Sequence, residues 1–289
     1  MIPYELEETT LKLPDSDQCH IIIITGKAKR HQRFALRIQE EFGDLVKGWY
    51  EIDKNEAIKF ANERDKKTNK FNENPESKLT RVIKVFREVG IVRGAKKAFR
   101  KMQLLIFLRG MSSDFDINQI NIFDGELKRL ENRNVVDKQK IHPRDINTLE
   151  FENELKSKKA YFLLTLGGPL YKDFIISSVE GAAINQHAGH SPDYKGGNTI
   201  DWALYNRDLL KVSSTVHITS TGADDGPILK RSNPTIFISD SPAIIFNKVV
   251  ALGTELMIDA VKEIIVDKNM KVYDQPKFVG NTFLSKDRG

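Results

Sequence analysis

Two unbroken apolar runs, each ending at glycine, restrict most strongly what this chain can fold into. His20-Ile21-Ile22-Ile23-Ile24-Thr25 stops at Gly26, and Tyr161-Phe162-Leu163-Leu164-Thr165-Leu166 stops at Gly167-Gly168-Pro169. Neither alternates polar with apolar residues, so both faces must be covered, as in the interior of a parallel sheet. After the first run Phe34, Ile38 and Phe42 recur at helical spacing, and Gly43 stops the helix. Leu45 to Ile52 then reads as a second strand. This βαβ opening predicts an α/β fold with a central, mostly parallel twisted sheet flanked by helices.

The rest of the chain continues the alternation. Residues 1–18 read as an irregular lead-in. A further α/β cycle begins near Asn118, with a helix through Leu127 and Leu130 and a short strand over Val135 to Ile141. Asp145 to Lys158 is expected to be helical, capped by Asp145 or Asn147. Ala182 to His187 and Ser214 to Thr219 are expected strands. Ser241 caps a long helix to Val266, with Pro242 at its first position. Between the second strand and this later part, 53–77 is polar, and 78–110 suits amphipathic helices interrupted near Gly90 and Gly94. The expected organisation is one domain over 1–235, carrying 53–110 as a basic, mainly helical insertion. A C-terminal helix and tail over 236–289 would pack on it.

Charge is unevenly spread. Residues 54–101 hold 15 Lys/Arg against 6 Asp/Glu, a net of +9 in a chain whose total is +5, so the remainder is net acidic. The segment 78–101 suits contact with an anionic membrane surface or a phosphate group, or is a solvated helix face. Nucleic acid is not the expected partner. The longest apolar runs are far too short to span a membrane. Met1 to Thr10 is acidic and lacks the apolar core of a signal peptide, and the single cysteine, Cys19, excludes an internal disulfide. A cytoplasmic protein is expected.

The chemistry is concentrated in a broken polar string: Asn185-Gln186-His187, Thr215-Val216-His217 and Asp224-Asp225-Gly226. Asn185 and His187 lie two apart, so on a strand both side chains share a face. Carboxylate, imidazole and carboxamide meeting at strand ends suit acyl transfer. The imidazole takes a proton, the carboxamide donates to a developing oxyanion, and the carboxylate orients or relays. No metal site is expected.

These residues also carry a resemblance. Asn185-Gln186-His187, the loop Ala188 to Gly196 with Pro192 and Lys195, the helix Ile200-Asp201-Trp202-Ala203-Leu204-Tyr205, the strand Ser214-Thr215-Val216-His217 and the turn Asp224-Asp225-Gly226-Pro227-Ile228-Leu229 follow in the order found in formyltransferases that use 10-formyltetrahydrofolate. The interval from His187 to Asp224 is 37 residues, close to that family's. The tail Gly280 to Asp287 is similar to one found in some members. The resemblance is strongest over roughly 160–230 and, in the opening βαβ unit, holds only in pattern.

It implies a Rossmann-like formyltransferase fold, with His187 as general base, Asn185 as oxyanion donor and Asp224 as proton relay. Leu166, Gly167, Gly168, Leu170, Thr221 and Ala223 would hold the folate. It leaves open whether His217 is a supporting structural group or takes part in the chemistry. His190, Tyr194 and Lys195, in a loop unlike that of the best-known members, would touch the acceptor. Only 60 residues follow Leu229, which favours a nucleotide-linked amino sugar over methionyl-tRNA as acceptor. Another small amine, an inactive folate- or partner-binding relative, and a homodimer all remain open.

Overall fold

The two apolar runs pair as neighbouring interior strands of a sheet that has nine strands among the described residues. The computed structural model describes residues 5–52, 123–132, 136–276 and 279–283. The helices expected over 53–110 lie outside these residues. In chain order the strands are β1 (Glu7–Lys12), β2 (His20–Thr25), β3 (Val46–Ile52), β4 (Lys138–Ile141), β5 (Ala160–Leu166), β6 (Ala182–His187), β7 (Tyr194–Gly196), β8 (Ser214–Ile218), β9 (Ile228–Ser232), β10 (Asn269–Asp274) and β11 (Asn281–Phe283). The helices are α1 (Lys29–Phe42), α2 (123–131), α3 (Leu149–Ser157), α4 (Asp173–Ile176), α5 (Thr199–Tyr205) and α6 (Pro242–Val266).

The large sheet runs β1-β10-β9-β8-β6-β5-β2-β3-β4, and β7 and β11 form a separate parallel pair. From β4 to β6 every neighbour is parallel. From β6 to β1 every neighbour is antiparallel. Because only β8 and β10 reverse, the other seven strands of the nine point the same way.

Alternation along β2 divides the core. Ile21 and Ile23 pack with α1, α2 and α6 on one face. Ile22 and Ile24 pack with Ile146, Phe151 and Leu155 from the α3 region and with Ile175 of α4 on the other. Successive side chains of a strand point to opposite faces, so an all-apolar strand needs both layers. On the first face Arg33 of α1 bonds Glu126 of α2 at 2.7 Å and Glu255 of α6 at 3.2 Å, tying the three helices together. Arg37 adds a contact to Glu255 at 2.7 Å.

Three local expectations are corrected. The lead-in contains strand β1, which pairs antiparallel with β10. Its sequence, EETTLK, is polar at most positions, and its order comes from the ladder rather than from a buried stripe. The cap of α3 is Thr148, whose Oγ1 accepts from the Phe151 amide at 3.4 Å, while Asp145 to Asn147 form a separate 3-10 turn. The turn that follows Asp224 leads directly into a strand, β9, from Ile228. Elsewhere Ser241 caps α6 as the sequence predicts, accepting from the Ile244 amide at 3.3 Å.

Helix α6 lies very close to β6 and β8, and Gly253 is the reason it can. A Cβ at this position would stand 2.1 Å from Ser214 Oγ and 2.4 Å from Gln186 Nε2. Gln186 in turn donates from Nε2 to the Val250 carbonyl of α6 at 2.7 Å. Replacing Gly253 by alanine raises helix propensity but forces the two layers apart. Gly253→Ala is expected to lower unfolding stability by about 1–3 kcal/mol, the usual range for overpacking. Urea titration checks this, and an unchanged or raised midpoint would refute the close-approach argument.

Candidate active site

The expected catalytic residues come together where the parallel half of the sheet gives way to the antiparallel half. Strands β6 and β8 run antiparallel with Asn185 opposite His217. The turn after β8 brings back Asp224, whose φ of 52° is left-handed, a conformation that Asp tolerates better than most residues. The carboxylate is largely buried and meets four partners. Oδ2 lies 3.2 Å from His187 Nδ1 and accepts the Gly196 amide at 2.9 Å. Oδ1 accepts Asn185 Nδ2 at 3.2 Å and lies 3.3 Å from His217 Nε2. Burial pushes this carboxyl's pKa up, but the charges of His187 and His217 and the Gly196 amide outweigh it and hold the group well below the ordinary carboxylate range. Asp224 is therefore ionised.

Its neighbours are themselves oriented. Asn185 Oδ1 accepts from Thr165 Oγ1 on β5 at 2.8 Å, which turns the amide nitrogen toward Asp224 and toward His217 Nε2 at 3.1 Å. His217 Nδ1 donates to the Ile218 carbonyl at 2.8 Å. His187 Nε2 donates to the Tyr194 carbonyl at 2.9 Å, while its Nδ1 faces Asp224. Both ring nitrogens of His187 thus face acceptors, and the imidazole fills both contacts only when it carries a hydrogen on each. Acting as a base then requires that Nε2 turn away from the Tyr194 carbonyl.

The cluster forms one wall of a cavity of about 480 Å³. The turn after β5 also lines it, next to the end of β6. Gly167 and Gly168 have φ of 75° and 124°, and a Cβ on Gly168 would stand 2.9 Å from the Tyr171 hydroxyl, so only glycine fits both the dihedral and the space. Leu166, Leu170 and Ala223 also line the cavity, as do Arg30 and His31 from the start of α1. Volume and lining suit an organic ligand of moderate size.

The remaining expected residues lie elsewhere. Thr221 is in the turn before Asp224 but not in the cavity lining, and Lys195 is also absent from it. Tyr194 meets the site through its backbone carbonyl, while its hydroxyl bonds Asp208 and Asn206, both at 3.3 Å. His190 points away, with Nδ1 3.0 Å from Ser213 Oγ and Nε2 3.8 Å from Asp193. Four contributors escaped sequence reasoning: Thr165, the Gly196 amide, the Tyr194 carbonyl and the Arg30–His31 pair. The backbone groups leave no side-chain signature. Arg30 and His31 lie at a basic start of α1, but nothing local aims them at the cavity.

A glycine-walled cavity beside an Asn–His–Asp cluster, set at the ends of parallel strands, defines a ligand-binding α/β protein with acid–base groups. Residues 126–261 match the sequence profile of the formyl transferase family. The methionyl-tRNA formyltransferase of Listeria welshimeri is 26% identical over 140 residues, covering 48% of this chain and 45% of that protein. That of Thermodesulfovibrio yellowstonii is 29% identical over 136 residues, 47% of this chain and 42% of that protein. The chain thus spans under half the length of these curated relatives. Among solved structures, a sugar N-formyltransferase from Shewanella sp. superimposes with a TM-score of 0.53 at 13% identity, covering 93% of this chain and 78% of that one. A 4-N formyltransferase from Francisella tularensis gives 0.51 at 14% identity, with the same coverage of 93% and 78%. At such identities the likeness is one of fold.

The setting of His190 has a measurable consequence. Burial, with the Arg231 charge adding to it, lowers its pKa to about 4 against the partial opposing pull of Asp193. The unfolded chain, with an ordinary histidine near about 6.5, binds a proton there before the folded protein does. His190 therefore makes stability fall as pH drops from about 6.5 to about 4. His190→Gln is expected to flatten the pH dependence of unfolding free energy in that window. An identical slope in the variant would remove His190 as its source.

Proposed function

We propose that the protein is an N-formyltransferase, moving a formyl group from 10-formyltetrahydrofolate to a primary amine. The observation that carries this reading is the meeting of Asn185, His187 and Asp224 in the lining of one cavity that a glycine turn also lines. The cavity residues fit the donor. Gly167 and Gly168 present backbone donors and acceptors, and Leu166, Leu170 and Ala223 offer apolar cover to a flat heteroaromatic ring. Thr221 belongs to the same turn as Ala223. When bound, the donor supplies a formyl carbon on a nitrogen that can leave as an amine.

The protein's own groups supply the rest. An aliphatic amine is largely protonated near neutral pH, so it must lose a proton before it attacks. The His187–Asp224 pair accepts that proton through Nε2 and returns one to the departing nitrogen, so one N–C bond forms and one breaks. Asp224 stays ionised and holds Nδ1 throughout. Asn185, braced by Thr165, donates to the charge that develops on the formyl oxygen. His217 supports Asp224 from the opposite strand.

The finer part of the proposal is the acceptor, an amino sugar on a nucleotide carrier. In its support, the Arg30 guanidinium lines the same cavity and suits the phosphate groups of such a carrier. Methionyl-tRNA, the acceptor in the names of the curated relatives, is the competing substrate. The test is incubation with 10-formyltetrahydrofolate and a panel of nucleotide-linked amino sugars, simple amines and methionyl-tRNA, following release of tetrahydrofolate. Turnover with an amino sugar is expected, and none with any amine would overturn the proposal. With the acceptor so found, His187→Asn and Asn185→Ala should each lower kcat by about 10² or more while folate affinity changes little. Near-normal turnover in either variant would remove that residue from the chemistry.

A further inference from the structure

Two of the contacts on His187 and Asp224 come from β7, and β7 pairs with the C-terminal strand β11. The Tyr194 carbonyl accepts from His187 Nε2 at 2.9 Å, and the Gly196 amide donates to Asp224 Oδ2 at 2.9 Å. Strand β7 is not part of the large sheet. Its strand partner is β11, with Asn281 beside Tyr194, Thr282 beside Lys195 and Phe283 beside Gly196. The Asn281 amide donates to the Asp193 carbonyl at 2.8 Å, and the Gly197 amide to the Phe283 carbonyl at 2.8 Å.

Ring contacts reinforce the pairing. Phe283 stacks on Tyr194 with centroids 5.6 Å apart and planes at 14°, and on Trp202 of α5 at 5.0 Å and 19°. Two glycines permit the approach. A Cβ on Gly280 would stand 1.8 Å from the Pro192 carbonyl oxygen, and one on Gly196 2.2 Å from that of Phe283, and both residues have left-handed φ, 79° and 88°. A three-residue strand outside the main sheet has few bonds of its own to fix it. The position of the Tyr194 carbonyl and the Gly196 amide therefore depends on what grips β7 from its other side.

We infer that β11, gripping through Phe283, is a positioning element of the active site: it sets the place of His187 and Asp224 through Tyr194 and Gly196. The inference rests on the roles proposed for His187 and Asp224. His187 leaves the Tyr194 carbonyl to take a proton and returns to it afterwards; without that resting contact and without the Gly196 donor, the ring and the carboxylate both gain freedom, and misplacement of about 1 Å is enough to cost about a hundredfold in rate.

Phe283→Ala and Gly280→Ala loosen the grip in different ways, one by removing the stack and the other by a clash, and Phe283→Tyr keeps the stack. Amide exchange, read by mass spectrometry, should accelerate about tenfold or more in peptides spanning 194–198 in the first two variants and stay unchanged in β5. Labelling of His187 by diethyl pyrocarbonate, normalised to His20 and His142, should rise severalfold in the same variants, because the ring loses its cover. With an accepted amine, kcat should fall about tenfold to a hundredfold while folate affinity stays within about twofold, and Phe283→Tyr should restore all three readouts.

Unchanged exchange and unchanged His187 labelling would overturn the inference. So would faster exchange with kcat intact. If the wild-type protein formylates no amine, the proposed function fails, while exchange and labelling still decide whether β11 positions His187.

Discussion

A carboxylate taken out of water needs several donors to stay charged, and Asp224 has four, from three separate strands. Asn185 and His187 come from β6, His217 from β8 and the Gly196 amide from β7. No local segment could supply this set. It exists because β6 and β8 are antiparallel neighbours, because the following turn doubles back, and because β7 is held against both. The fold around Asp224 is thus organised by one requirement, the solvation of a buried negative charge by protein groups. Leaving any donor site empty costs about as much as a lost buried hydrogen bond, of order 1–3 kcal/mol.

The same geometry explains why the sheet changes character at β6. A wholly parallel sheet would send the chain across a helix after His187 and carry the next strand's start to the far edge. The antiparallel β8 instead starts beside His187, with Thr215 opposite it, and ends beside Ile184, and the turn that follows doubles back to bring Asp224 to Asn185 and His187. The buried face of α6 follows from this arrangement too. Gln186 points opposite to Asn185 and His187, and it spends its amide on the Val250 carbonyl of α6 rather than on the site.

Much of this was legible in the chain, and the exceptions are instructive. Strands β2 and β5 announced themselves because burial on both faces demands unbroken apolar sequence, and α1 and α6 because one face of each must be apolar and both carry stop or cap signals. Asn185, His187 and Asp224 were legible because their chemistry resides in side chains at recognisable intervals. What stayed hidden is held by backbone. The polar strand β1 and the three-residue strands β7 and β11 owe their order to a partner's ladder, which leaves no periodicity. Tyr194 stood out as a side chain, yet it meets the site with its carbonyl. His190 stood out as an unmatched imidazole, yet it serves a buried cluster with Ser213 and Asp193. A sequence names the residue and not the atom that faces the cavity.

The end of β3 has a consequence of its own. Ile52 is the last residue of that strand, and its Cδ1 lies only 3.3 Å from where a Cβ on Gly168 would sit. Strand β3 therefore ends directly beside the glycine turn. A length change in whatever follows Ile52 leaves the pairing of β2, β3 and β5 untouched, because it falls after the last paired residue. This is a graft point: a change in sequence length after Ile52 leaves the hydrogen-bond ladder beneath undisturbed.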